Sequence, residues 1–188
     1  MEAIEIVRQN AVSFVIAPEI DQQSAAREAL LDRAMGLKWK RKSSQKLRRG
    51  RRPSEGLAFI ARSEDGVLAG TVRLWDVATG DGRPALLLGP LAVDPSLKSA
   101  GIGKALMSHA ISEAERLGHK AILLVGDASY YGRFGFSAEK TGRLAMPGPY
   151  ERHRFLALEL VAGALDGAHG TLKATGRKAK PARVALAA

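Results

Sequence analysis

LLLGPLAVDPSLKSAGIGKALMSHAISEAERLG, residues 86–118, runs from an apolar segment through a glycine-containing turn into an amphipathic stretch. Residues 85–93 read as a buried strand. Proline supplies no N–H, so the Gly89-Pro90 pair predicts a bulge or splay in that strand. Ile102, Ala105, Leu106, Ala110, Ala114 and Leu117 recur at helical spacing, and Gly118 ends the helix. KAILLVG (120–126) is short and continuously apolar, the pattern of a buried parallel strand. Strand, helix and strand make a right-handed β-α-β unit. Glycines at the front of a helix each cost about 0.5–1 kcal/mol relative to alanine. Gly101 and Gly103 therefore call for a compensating role, either a tight turn alone or a backbone surface that an anion must approach.

The spacing excludes two phosphate-binding signatures. The first glycine of a Walker A loop would fall at Lys98, and Leu106 stands where a dinucleotide fingerprint needs its third glycine. General physics leaves both readings open, a turn without a ligand and a site for an anion. The first N–H groups of a helix lack internal partners and sit at the positive end of its dipole. Glycine lets a phosphate approach them, and Lys98 and Lys104 add charge.

Outward from this unit, residues 13–19 read as a first strand and 22–35 as a helix. Residues 56–63 and 66–77 read as two strands joined at Glu64-Asp65-Gly66. Beyond residue 126 the pattern predicts a helical turn over 129–133, a strand near Phe136 and an alternating strand over 154–161. One domain is expected over residues 1–173, and residues 174–188 form a basic, Ala/Lys-rich tail expected to be disordered.

The chain of 188 residues has no cysteine, which excludes disulfides, thiolate metal sites and cysteine nucleophiles. Its apolar runs over 11–17 and 84–93 are too short to span a bilayer, and the acidic start lacks a secretory n-region. A cytoplasmic protein without membrane association is expected. The net charge of +10 is unevenly placed: residues 38–52 carry +9 and residues 162–188 carry +4, leaving −3 for the rest. The body has no broad basic face for a duplex, so nucleic acid is not the expected partner.

Residues 86–118 resemble motif A of the GCN5-related N-acetyltransferases, whose signature is Arg/Gln-x-x-Gly-x-Gly/Ala after a splayed strand. Lys98 stands at the Arg/Gln position, with Gly101 and Gly103 at the two small positions. VGDASYYGRFGF (125–136) is similar to motif B of that family. The likeness covers roughly residues 11–173 and is strongest to the YhbS-like branch. Lys98 in place of Arg or Gln, and Ser99 and Ala100 in place of a glycine and a basic residue, are departures from it.

The resemblance implies an α/β (α+β) fold: a mixed, twisted, mostly antiparallel sheet with a splayed central β-α-β unit and flanking helices. It implies acetyl-CoA as cosubstrate and an amine acceptor of unknown identity, possibly acidic, on a monomer or homodimer. Leu91, Ala92 and Val93 would bind the pantetheine arm through their backbone. Lys98, Ser99, Ala100, Gly101, Ile102, Gly103 and Lys104 would cradle the pyrophosphate. Tyr131 would contact the cofactor and protonate the departing thiolate, and the Leu91 N–H would stabilise the oxyanion. The other reading is a module that binds CoA or nucleic acid without turnover.

Acetyl transfer also needs a neutral amine. No carboxylate occurs in 85–93, so Asp94, Asp127 and Glu151 are the candidates for deprotonation through water, against ordinary roles as turn formers and surface charges. Tyr130 reads as packing. His109 and His119 read as solvent-facing, and His153 is a candidate acceptor contact. No metal-ligand spacing occurs. Residues 38–52 fall beside the acceptor groove of the family, either as a solvated face or as a site for an acidic acceptor or nucleic acid. Trp39 is the one aromatic among them, a poor supply for stacking on single strands.

Overall fold

Alternating apolar side chains carry the first half of the chain into an antiparallel meander in the computed structural model, which describes residues 5–9 and 12–179. Strands β1 (Glu5–Gln9) and β2 (Val12–Pro18) precede helix α1 (Ser24–Met35) and the short helix α2 (Gln45–Arg48). Then come β3 (Ala58–Ser63), β4 (Leu68–Ala78), β5 (Pro84–Val93), helix α3 (Ile102–Arg116) and β6 (Ala121–Val125). Helix α4 (Ala128–Tyr131), β7 (Leu144–Ala145), β8 (Phe155–Glu159), β9 (Gly170–Thr171) and β10 (Lys173–Ala174) complete the described chain.

The main sheet runs β1-β2-β3-β4-β5-β6-β8, with β10 added to β4 beyond the reach of β3. Within this sheet only β5 and β6 are parallel among the described residues, and α3 is their crossover; β7 and β9 form a separate two-stranded parallel sheet. The expected mixed, mostly antiparallel sheet is therefore the observed fold. The central strands are buried on both faces. Leu86, Leu88, Ile122, Leu124 and Leu156 pack with α3, whereas Leu87, Leu123 and Phe155 pack on the opposite side with Trp75.

The Gly89-Pro90 expectation is met in both of its forms. Val72 opposes Leu91 but Leu74 opposes Leu88, so two residues of β5 face one of β4. This extra residue resets the alternation, and Leu91 and Val93 return to the α3 face that Leu86 and Leu88 occupy. Pairing of β5 with β6 covers only Leu86↔Ile122 and Leu87↔Leu123, after which the strands part.

Four local expectations change. No strand forms near Phe136, whose side chain is buried; Ser137 makes a single bridge to Ala157. His109 is half-buried with its ring 4.6 Å from that of Phe59, and His119 is half-buried in the turn after α3. Residues 38–52 are not a solvated face, because Trp39, Ser43, Ser44 and Leu47 are buried. Finally, the first part of the expected tail is paired. Ala174 lies against Val77, Lys178 bridges Arg51, and the Ala179 N–H reaches Gly50 O at 2.9 Å. Residues 180–188 of that tail lie outside the described residues. No helix among the described residues is long and apolar enough to cross a membrane.

Candidate active site

The parting of β5 from β6 leaves a backbone edge open inside the sheet. The Asp94 N–H donates to Ala69 O of the strand neighbouring β5 at 2.8 Å. Amides alternate along a strand, so Ala92 faces β4 while the N–H and C=O groups of Leu91 and Val93 face the gap. Leu91, Leu124 and Tyr131 line the small cavity of about 60 Å³ at this gap.

Below the edge the chain turns through residues 94–101. Asp94 caps the turn, accepting from the Ser96 N–H at 3.0 Å and the Ser96 hydroxyl at 2.7 Å, and it pairs with Arg33 at 2.9 Å. These hydrogen bonds hold its carboxyl below the usual range, which makes it a poor base. Ser99 (φ 69°) and Gly101 (φ 79°) both adopt left-handed backbone, and Ser99 is the one non-glycine among the described residues to do so. The amides of Ser99, Gly101, Ile102, Gly103 and Lys104 find no acceptor among the described residues, whereas Ala105 begins the helical ladder on Gly101 O. They border a cavity of about 440 Å³ that Lys98, Tyr130 and Arg133 also line. Ala100 differs from its neighbours. Its side chain is buried in the core and its N–H goes to Leu97 O at 3.3 Å, so that amide is not available to a ligand.

Gly103 has a local reason to lack a side chain, since a Cβ there would lie 2.9 Å from the Tyr130 hydroxyl. Tyr130 therefore packs against the core, as read from the sequence, and also roofs the turn. The Arg133 guanidinium lies 4.6 Å from its ring centroid. Sequence reasoning passed over Arg133, although a helical turn places it on the same side as Tyr130, three residues earlier.

Asp127 starts α4 by accepting from the Ser129 N–H and hydroxyl, both at 2.8 Å, and those bonds lower its pKa. It too is a turn former and a poor base. The Tyr131 ring lies across Gly126, where a Cβ would stand 2.2 Å from a ring carbon. Burial pushes the Tyr131 phenol up to about 12, with a further push from Tyr130 and opposing pulls from Arg154 and Arg48. Tyr131 is thus a neutral donor at the gap throughout the physiological range.

Arg48 closes the gap from the other side, with Nη2 3.5 Å from Leu88 O and only 2.9 Å from where a Cβ on residue 89 would be. Its Nε is buried without a partner. Burial lowers its pKa to about 9, which leaves it cationic at neutral pH. The gap continues into a cleft of about 190 Å³ between Lys42, Ser43 and Ser44 on one wall and Tyr150, Glu151 and Arg154 on the other. The Ser43 hydroxyl donates to Pro149 O and ties these walls together. His153 is exposed, 3.4 Å from Glu151, and does not line this cleft. Among the described residues no cluster of His, Cys, Asp or Glu is arranged to hold a metal.

The arrangement offers the free strand edge of β5 to an extended, hydrogen-bonding group and the free amides around Gly101 to an anion. A profile of the Acetyltransferase (GNAT) family matches residues 16–136. The chain is 26% identical over 118 residues to a relative from Escherichia coli K12 described as the uncharacterised N-acetyltransferase YhbS, covering 62% of this chain and 71% of that one. It is 35% identical over 102 residues to a mycothiol acetyltransferase of Propionibacterium freudenreichii, of which it spans only 32%. The crystal structure of Escherichia coli YhbS in complex with CoA superposes with a TM-score of 0.72 at 24% identity, over 89% of this chain and 93% of that one. A GNAT acetyltransferase from Brucella melitensis in complex with acetyl-CoA gives 0.58 at 23% identity, over 90% and 96%.

Proposed function

This chain belongs to the GNAT family of acetyltransferases, and from that premise we propose that it transfers the acetyl group of acetyl-CoA to a primary amine by direct attack in a ternary complex. One observation carries the reading. The outward-facing amides of Leu91 and Val93 lie between the unpaired amides of Ser99, Gly101, Ile102, Gly103 and Lys104 and the neutral phenol of Tyr131.

Bound acetyl-CoA supplies an activated acyl group as its thioester. Lys98, Lys104 and Arg133, with the free amides of Ser99, Gly101, Ile102 and Gly103, hold the pyrophosphate end. The Leu91 N–H donates toward the oxygen on which negative charge develops, a fixed dipole that needs no reorganisation. In the exchange the amine nitrogen gains a bond to the acyl carbon and the carbon–sulfur bond breaks. The amine proton leaves to solvent and the sulfur receives one. Tyr131 is the donor facing that sulfur. Its pKa of about 12 exceeds the roughly 8.5 of an ordinary thiol, so its first contribution is a hydrogen bond. Arg48 and Arg154 favour the phenolate and ease full transfer.

The test is release of free thiol from acetyl-CoA across a panel of amines, paired with calorimetry of CoA binding. Amine-dependent thiol release is the expected result. CoA binding without turnover on any amine would leave a binding module, and a salt-sensitive shift of labelled DNA or RNA would identify its partner.

A further inference from the structure

Three cations converge on the cleft beside the gap: Lys42 and Arg154 line it, and Arg48 stands at its inner end with Lys42. Neither Lys42 nor Arg48 has an ion-pair partner among the described residues. The one carboxylate in the cleft, Glu151, is exposed and lies 3.9 Å from Arg154. Of the three buried side-chain polar atoms without a hydrogen-bond partner among the described residues, two are the Nε atoms of Arg48 and Arg154; the third is Nε2 of Gln23. An unsatisfied buried donor on a charged group is destabilising, and like charges brought together add to that cost. Partial burial and the neighbouring charges of Arg154 and Arg48 lower the Lys42 pKa. Gly89 allows the Arg48 guanidinium to sit against β5, and the Ser43 bond to Pro149 holds the opposite wall. The cleft is thus a built cationic site and opens directly onto the place of transfer.

Resting on the acetyltransferase reading, we propose that the acceptor is a small primary amine bearing its own oxyanion, a carboxylate or a phosphate, which Arg48, Arg154 and Lys42 bind in this cleft. Guanidinium forks match both oxyanions with paired, charge-assisted hydrogen bonds. The volume of about 190 Å³ is below the usual range of about 300–1,000 Å³ for ligand pockets, which suits a molecule of amino-acid size. Because the cleft and the gap share Lys42, Ser44 and Val125, amine and oxyanion are separated by only a few bonds. Glu151 is placed to attract the ammonium form of the acceptor as it enters.

Matched pairs test this: the common amino acids against their amides, and O-phosphoethanolamine against ethanolamine, each scored by thiol release with acetyl-CoA. The anionic member of the best pair should have a kcat/KM about 10–100-fold higher, the worth of a charge-assisted contact. The amide amine is less basic, so the comparison is biased against the proposal. A preference confined to the amino acids identifies carboxylate as the anion, and one confined to O-phosphoethanolamine identifies phosphate. Arg154→Gln should raise KM for the anionic member by about the same factor, with Kd for CoA unchanged and partial recovery in Arg154→Lys. If Arg154→Gln does not fold, Lys42→Gln at an exposed position serves instead. Calorimetry of CoA-free protein should detect N-acetylglycine and not N-acetylglycinamide. Equal rates within every pair, or equal effects of the variants on both members, would overturn the oxyanion site while leaving acetyl transfer standing. Thiol release that no amine in the panel increases would overturn the acetyltransferase reading itself.

Discussion

Gly103 and Tyr131 are single positions where the geometry leaves little freedom. A Cβ on residue 103 would meet the Tyr130 hydroxyl at 2.9 Å, and a carboxylate there would also occupy the place of a phosphate. Gly103→Asp should therefore abolish CoA binding in calorimetry while the circular dichroism spectrum stays that of the wild type. Undiminished affinity would remove the phosphate role from this turn. Tyr131→Phe keeps the ring contacts with Tyr130 and Phe136 and deletes only the donor. Its kcat should fall about 10- to 1,000-fold, at and below the usual range for general acids, with Kd for CoA unchanged. The direction of the Tyr131 shift also fixes the pH profile. The phenol acts while protonated and its pKa is pushed up to about 12, so the wild-type rate should show no Tyr131-dependent fall below about pH 10. A descending limb near pH 9–10 that vanishes in Tyr131→Phe would mean the phenol titrates as if solvated. Gly101 and Gly103 stood out in the sequence because glycines at the front of a helix call for a local reason, whereas Tyr131 was singled out only through the family resemblance of its motif. Arg48 was not, since nothing in a run of basic residues tells which one a distant strand will bury.

At the scale of elements, the packing of α3 on β4 depends on Gly70, where a Cβ would lie 2.8 Å from Ile102 and 2.9 Å from Leu106 side-chain carbons. Both of those side chains are buried and have little room to move. Gly70→Ala should destabilise the protein by about 1–3 kcal/mol, the usual cost of overpacking, measured by urea denaturation. Because Ile102 begins the helix whose first amides face the phosphate cavity, CoA affinity should fall as well. A stability equal to the wild type would show that α3 can slide away. The β-α-β unit and the β5 bulge were legible for the same reason: proline, glycine and apolar period act over a few residues. The two-residue strands β7, β9 and β10 carry no period to read, and at Phe136 an apolar pattern that suggests a strand yields only the Ser137–Ala157 bridge. Residues 38–52 misled in the opposite way. Their charge suggested solvent, but Trp39 donates to Asp32 at 2.8 Å and Leu47 packs in the core beside Trp75 and Phe155. Both contacts are tertiary and leave no local trace.

Over the whole molecule the charge of +10 divides into cations that build the cleft and cations that only surround it. Lys38, Arg41, Lys46 and Arg49 are exposed on the same segment as Lys42 and Arg48 and contribute a long-range field. Replacing those four with Gln should lower kcat/KM for an anionic acceptor at low salt. The deficit should shrink as the Debye length drops below about 10 Å near 0.1 M. A deficit independent of salt would mean direct contacts instead of steering. The described end of the chain bears on the same cleft from a distance. The Arg52 N–H donates to Arg177 O at 2.8 Å, Arg51 Nη1 to Gly176 O at 2.6 Å, and the Ala179 N–H to Gly50 O. These bonds anchor the turn directly after α2, the helix that ends in Arg48. The C-terminal segment is in this respect a guy-rope: it does not line the cleft yet braces the arm that carries Arg48. Ending the chain after residue 173 should loosen acceptor binding and raise its KM while Kd for CoA stays the same. Anything that tugs or releases residues 174–179, a fused partner or a protease, thereby becomes a dial on acceptor choice that the cofactor does not feel.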